Sequence, residues 1–321
     1  MHLIGASDAR AEGRLRGLTA CLALADEVTL MPEGFFNQLL GRLSVPGARL
    51  LGTTNPDGPG HWLKKKFLDR RHELDLGSWH FILDDNPSLS PDYVAALRAE
   101  YVGLWFQRFV LGKWVQAQGA IYEMWDPDRH VVDIVPAMRR WMAVGVDYGT
   151  VAAFSAVLLG LGEDDRLYIA SEYRHDSTLA RRQLTDAQYS TGVQDWLGSY
   201  QHAGGSGVQP DWVFVDPSAA SFMNQLWHDG VPGVAKAVND VLDGIRSVAM
   251  AMGAGRLFVH RSCHGLIEEI PGYAWDDAAA EKGEDKPIKA NDHSCDAMRY
   301  ALHSTAHEWR YLVRGNLEVA A

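Results

Sequence analysis

RRWMAVGVDYGT, residues 139–150, reads as a β-strand of apolar and β-branched residues that ends in one carboxylate, Asp147, and runs straight into a glycine turn. A charge at the end of an otherwise buried strand costs free energy unless something pairs with it. Asp147 is therefore expected either to ligate a metal or to face a phosphate. Apolar runs follow in a definite order: 153–160, 166–173, a polar helical stretch over 177–197, then 212–216 ending in Asp216. A helical pattern over 234–252, a short strand over 256–259 and a last helix opening near Asn291 complete the series. Three strands joined by tight links, then alternating helix and strand, predict an α/β fold with a mixed sheet covered by helices.

At 321 residues, 47% hydrophobic and 22% charged, the chain has room for two domains. No apolar run approaches a membrane span and no cationic apolar signal segment opens it, so the expectation is a cytoplasmic protein with no membrane partner. Cys21, Cys263 and Cys295 stand at unrelated positions, which argues against a disulfide framework. A net charge of -11 opposes an unaided grip on nucleic acid. If DNA is the substrate, a partner is expected to help hold it.

Upstream, GLTACLALADEVTL over 17–30 is an apolar strand running into Asp26 and Glu27. Such a pair either ends a Walker B strand, one acid serving the magnesium shell and the other the attacking water, or simply caps the next helix. An amphipathic helix over 35–43 and a strand over 48–52 follow, the strand ending in Thr53, Thr54, Asn55 and Pro56. Hydroxyl and amide groups at a strand's carboxyl end sit where phosphate sensors sit in open α/β sheets, although a ligand-free Pro/Gly turn reads the same way. Lys64 to Lys66 with Arg70 and Arg71 form the densest basic run, a phosphate contact or a solvated helix face. Ser90 and Pro91 open a helix expected to run to about 111, with Trp105, Phe106 and Phe109 as core, and 116–119 reads as the best linker.

LADEVTLMPEGFFNQLLGRLSVPGARLLGTTNPDGPGHWLKKKF, DDNPSLSPDY, RFVLGKWVQAQGAIYEMWD, VGVDYGT, VFVDPSAASF and PIKANDHSCDAMRYAL together resemble the large terminase subunit of tailed bacteriophages, the motor and nuclease that packages viral DNA. They cover most of the chain in the family's order. The resemblance implies a partial P-loop ATPase-type α/β region over 1–115, a linker over 116–138 and a ribonuclease H-like nuclease domain over 139–321. Asp26 and Glu27 would be the Walker B pair, and Thr53, Thr54 and Asn55 would belong to the motif coupling ATP state to movement. The implied partners are double-stranded DNA, the small terminase subunit and the portal protein, in the cytoplasm of an infected or lysogenic host. One departure is large: no G-x-x-x-x-G-K-[ST] occurs in the 321 residues. ATP use is therefore expected only if another polypeptide supplies the P-loop.

In the ribonuclease H-like arrangement that this order resembles, carboxylates of the first strand, the fourth strand and the last helix converge. Here those positions hold Asp147, Asp216 and Asp296. His293 and Asp296, three apart, share one helix face, with Asp292 close by. Three or four hard oxygen donors favour Mg2+ or Mn2+, and they permit two-metal phosphodiester hydrolysis with the ions about 4 Å apart. Asp292 is either a further ligand or a helix cap, and His293 either a metal or water contact or a core histidine. Lys286 and Lys289 are candidate phosphate contacts or plain loop charges. The competing readings are a docking half of a packaging motor that never cuts, and a resolvase or transposase on the same fold. DYGT also resembles a phosphate motif of actin-like ATPases, but the glycine-rich second copy that fold needs is missing at 216–219. His260, Cys263, His264 and Cys295 fit no usual zinc spacing.

Overall fold

The computed structural model describes residues 1–6, 9–149 and 153–314, so Thr150 of the opening stretch lies outside the described residues. The chain forms two compact units.

The first unit comprises Met1–Ser88, Leu104–Gln118 and Asp276–Lys286. Its sheet is β1 (Leu22–Ala25) paired in parallel with β2 (Arg49–Gly52), and α1 (Glu33–Arg42) forms the crossover between them. Ala25, Val28, Phe36 and Leu63 bury one side of this pair, while Leu22, Leu24 and Leu51 stay exposed. Three remote pieces of the unit meet at the buried Arg108 guanidinium. It pairs with Asp57 at 2.9 Å and with Asp285, and donates to the Val115 carbonyl at 2.8 Å. Burial pushes the Asp57 carboxyl up from its ordinary value, and Arg108 opposes that shift.

The second unit comprises Leu89–Gly103, Gly119–Trp275 and Pro287–Ala321. It opens with α2 (Pro91–Glu100), capped by the Ser90 hydroxyl on Tyr93 N at 3.2 Å. Then come β3 (Val131–Val132), β4 (Met138–Asp147), β5 (Ala153–Gly162), β6 (Leu167–Asp176), α3 (Asp186–Ser199), β7 (Trp212–Val215), α4 (Ala220–His228) and β8 (Val234–Lys236). The unit closes with α5 (Val241–Gly253), β9 (Leu257–His260), α6 (His264–Glu269), α7 (His293–Ser304) and α8 (Ala306–Arg314). The seven strands lie in the order β8-β7-β4-β5-β6-β9-β3. The meander β4-β5-β6 is antiparallel, and β7 and β8 extend it in parallel beyond β4. This is the expected ribonuclease H-like mixed sheet. All ten residues of β5, AFSAVLLGLG, are buried, as a central strand covered on both faces requires.

One face of the sheet, carrying Val144, Val146, Phe154, Leu158, Val213 and Val215, packs on Tyr189 and Val193 of α3 and on Phe222 and Met223 of α4. The alternation of β4 turns Gly145 and Asp147 to the other face. There α7 comes so close that a Cβ on Gly145 would lie 2.1 Å from the Ala297 carbonyl oxygen. The glycine is what seats α7 on the strand.

Four expectations need correction. The helix expected from 234 begins only at Val241, where the Asp240 carboxylate caps Asp243 N at 2.8 Å; Val234–Lys236 is strand, paired with Val213 to Val215. Three residues are too few to show whether a pattern repeats every two or every 3.6 positions. The helix expected from 177 starts at Asp186 behind a Thr185/Gln188 capping box. The helix expected to reach 111 stops at Glu100, and Gly103, at φ +53, turns the chain before a short helical run resumes. The segment expected to be a connection, 116–138, carries β3 and hydrogen-bonds Ile121 N to the Tyr273 carbonyl at 2.8 Å.

Gly145→Val should cost about 2 kcal/mol or more, because the clash is with helix backbone rather than a flexible side chain. Gly198→Ala, in the last turn of α3 with nothing within 4 Å of the added carbon, should be neutral or stabilising by up to about 1 kcal/mol. Urea melts of the two variants, followed by circular dichroism, check the contrast.

Candidate metal centre

β4 and β7 run in parallel with Val146 opposite Val215, and the Asp216 amide continues the ladder to the Val146 carbonyl at 3.0 Å. Asp147 and Asp216 are therefore adjacent residues at the carboxyl ends of neighbouring strands. Across β5 and β6 the row continues with Ser155, opposite Asp147, and Arg174, opposite Ser155. A polar row thus crosses four strands where the first turn of α7 covers the sheet.

From α7, His293 Nδ1 stands 2.8 Å from Asp147 Oδ2. Burial raises the Asp147 carboxyl above its ordinary value, and the charges of Asp296 and Asp216 push it further; the hydrogen bond with His293 opposes them. The same bond raises the His293 imidazole against the effect of its burial. Asp296, one turn further on, has both oxygens engaged. Oδ1 faces the Arg299 guanidinium at 3.0 and 3.1 Å, and Oδ2 accepts from Lys289 Nζ at 2.8 Å. Arg299 is itself buried and held by Asn239 Oδ1 at 3.2 and 3.3 Å. Its stem passes Gly244 of α5, where a Cβ would come within 2.6 Å of it.

Asp292 occupies the N-cap position of α7, but its side chain makes no capping hydrogen bond, which corrects the cap alternative. Glu269, at the end of α6, does that work instead: its Oε2 accepts from Ser294 N at 2.6 Å and Cys295 N at 3.1 Å. Its other oxygen pairs with Arg174 Nη1 at 2.5 Å. The Ser294 hydroxyl bridges Arg174, Glu172 and Ser155 at 2.5, 2.5 and 2.9 Å. Burial raises the Glu269 carboxyl, with Arg174 opposing. Sequence reasoning missed Glu269, Glu172 and Arg174, since they come from elements far along the chain. Arg299 was missed as well, although its place three residues after Asp296 is a signal that could have found it.

Asp147, Asp292 and Asp296 face the His293 ring and the Lys289 and Arg299 side chains, and Asp216 beside them accepts from Ser218 N at 2.8 Å. Hard oxygens in excess of fixed positive charge suit a Mg2+ or Mn2+ donor set. Among the described residues no group of three or more His, Cys, Asp or Glu side chains is placed to hold one metal ion. The oxygens that would do so are held by protein cations, on Asp296 above all. Lys286 belongs to the first unit and pairs with Glu284 at 2.6 Å. His260 contacts Ser262 and the Asp133 carbonyl, and the buried Cys263 thiol faces the Ile169 carbonyl, so these residues form no zinc set.

In the first unit the strand ends carry the other candidate group. Thr53 N donates to the Ala25 carbonyl at 2.9 Å and its hydroxyl donates to Asp26. Thr54 Oγ1 accepts from Thr29 N at 3.0 Å, and the Asn55 amide reaches both Glu27 oxygens at 3.4 Å. Glu27 itself sits at φ +53, a region that side-chain-bearing residues seldom adopt and that recurs at functional turns.

An α/β protein with acids at the carboxyl ends of parallel strands, in each of two units, is the class this geometry defines. No family model matches the chain. A curated relative, the large terminase subunit of Escherichia phage T5, is 26% identical over 317 residues, spanning 93% of this chain and 68% of that protein. The solved large terminase of a thermophilic bacteriophage is 40% identical, with 95% of this chain and 73% of that one covered at a TM-score of 0.86. The ADP complex of that same phage protein gives 40%, 95%, 74% and 0.85 for the same measures. The chain belongs to the large terminase subunits of bacteriophages.

Glu269→Ala should destabilise the protein by about 1 to 2 kcal/mol, since two helix-end amides lose their acceptor and Arg174 its buried partner. Glu269→Gln, which keeps an acceptor oxygen, should fall between it and the parent in thermal melts. Equal melting of both variants and the parent would remove the distal cap.

Proposed function

We propose that the second unit is a Mg2+- or Mn2+-dependent endodeoxyribonuclease that cuts concatemeric viral DNA during packaging, with Asp147, Asp216 and Asp296 as the metal-holding and catalytic carboxylates. The observation that carries the reading is the placement of Asp147 and Asp216 side by side on β4 and β7 under the helix that brings Asp296. His293 would hold Asp147 in the orientation needed for ligation, and Asp292, free of capping duty, would add a donor. Bound there, a pair of divalent ions supplies an activated water and charge neutralisation at the departing 3′ oxygen. The chain's own side chains then have to bind and orient, and no protein nucleophile is required.

The assignment of a partial ATPase region to the first unit and of a nuclease to the second belongs to the same proposal. Asp26 and Glu27 would act on nucleotide-bound magnesium and water, with Thr53, Thr54 and Asn55 sensing phosphate, once a P-loop is supplied from outside these 321 residues. Double-stranded DNA, the small terminase subunit and the portal are the proposed partners, in the host cytoplasm. The net charge of -11 favours a second reading, a docking half that never cuts.

Supercoiled plasmid incubated with the chain and Mn2+ should be nicked, and EDTA should abolish the reaction. Asp147→Ala, Asp216→Ala and Asp296→Ala should each lower the rate by about 100-fold or more. Equal nicking by parent and Asp147→Ala would remove the metal-site claim, and no nicking by either would favour the docking reading. Without an added P-loop polypeptide, phosphate release from ATP should stay at background.

A further inference from the structure

We propose that the Lys289 ammonium is the resident counter-cation of the acidic centre, holding Asp292 and Asp296 together until a divalent ion displaces it. This rests on the metal-centre reading above and goes beyond it by naming the group that must leave.

Lys289 Nζ lies 2.8 Å from Asp296 Oδ2 and 3.1 Å from Asp292 Oδ2. It bridges two almost fully buried carboxylates, as a metal ion would. The two cations on Asp296 differ in their freedom to move. Arg299 is buried, threaded past Gly244 and fixed by Asn239, so leaving Asp296 would strand a buried charge without its ionic partner. Lys289 lies in the 287–292 loop and its side chain is more than half exposed. Its flexible stem can return the ammonium to water at small cost.

The Asp292 oxygen in this contact, Oδ2, is buried, and the Lys289 ammonium at 3.1 Å is what faces it. The Asp292 side chain also spends nothing on capping α7. An oxygen that is buried, ionic and uncommitted to the backbone gains when one charge is exchanged for two at the same place. The exchange breaks two ammonium contacts, and it releases a lysine next to the acids, where a DNA phosphate would accept it.

The test uses the full chain and Mn2+ alone, by calorimetric titration at constant ionic strength. Lys289→Met should bind Mn2+ about fivefold more tightly than the parent, and Lys289→Arg within about twofold of it. A second measurement needs no variant: acetic anhydride should modify Lys289 of the parent about threefold faster when Mn2+ saturates the protein, with the exposed Lys282 as internal standard. Parent protein that binds Mn2+ without either effect overturns the displacement and leaves the metal reading standing. Absence of Mn2+ binding in the parent and in both variants overturns the two together, whereas binding by Lys289→Met alone supports the displacement in its strongest form.

Discussion

Mutual repulsion among carboxylates gathered at one end of a buried sheet is the constraint that the second unit is built around. Asp147 cannot reach water freely and cannot share its neighbourhood with Asp216 and Asp296 without paying for three like charges. The fold answers with local positive potential. The N-terminal turn of α7 brings the positive end of its helix dipole to this end of the sheet, and Arg299, Lys289 and His293 each take one carboxylate oxygen or two. All of this depends on α7 lying against β4, which the missing side chain at Gly145 permits.

Capping and ligation compete for the same residue type at a helix start, and the structure separates them. Asp292 stands at the N-cap position, yet the amides of Ser294 and Cys295 go to Glu269 from α6. Glu269 is in turn balanced by Arg174 from β6, and Ser294 ties Glu172 and Ser155 into the same group. Buried ionic groups of this kind contribute little net stability over apolar packing, but removing one member is expensive because its partner stays buried. Their effect is therefore to fix α7 in one rotation and height, and with it the side chains of His293 and Asp296.

Much of this was legible because it lies in short local patterns. The VGVD and VFVD strand ends each run into a turn, and a strand of this kind can end in an acid only where something receives the charge. The parallel pairing of β4 with β7 then follows from the order of elements, since consecutive α/β connections return strands to the same sheet direction. Val234–Lys236 was lost into the following helix because three residues carry no period, and the break at Gly103 was lost because an apolar helical pattern continues across it. Glu269 was illegible for a different reason. It serves a helix 25 residues away, and nothing in the local chain says which remote amide a glutamate will meet. The engagement of Asp296 by Lys289 was equally out of reach, since spacing shows only that the two can approach, and Lys289 reads alike as a phosphate contact.

The first unit applies the same geometry to different chemistry. β1 and β2 are parallel, and at their carboxyl ends the acids Asp26 and Glu27 meet the hydroxyl and amide groups of Thr53, Thr54 and Asn55. Hydroxyl and amide groups carry no net charge, so unlike the centre on β4 this pair is held by dipoles. Dipoles fix orientation without supplying a competing cation. Glu27 is held in the left-handed region, a conformation that costs about 1 kcal/mol for a residue with a side chain and persists only where neighbours enforce it. Val28 N on the Thr53 carbonyl at 3.0 Å, and Thr29 N on Thr54, supply that enforcement from the adjacent strand end. Movement of the 53–55 segment would therefore act on Glu27 directly, through bonds that the backbone turn already requires.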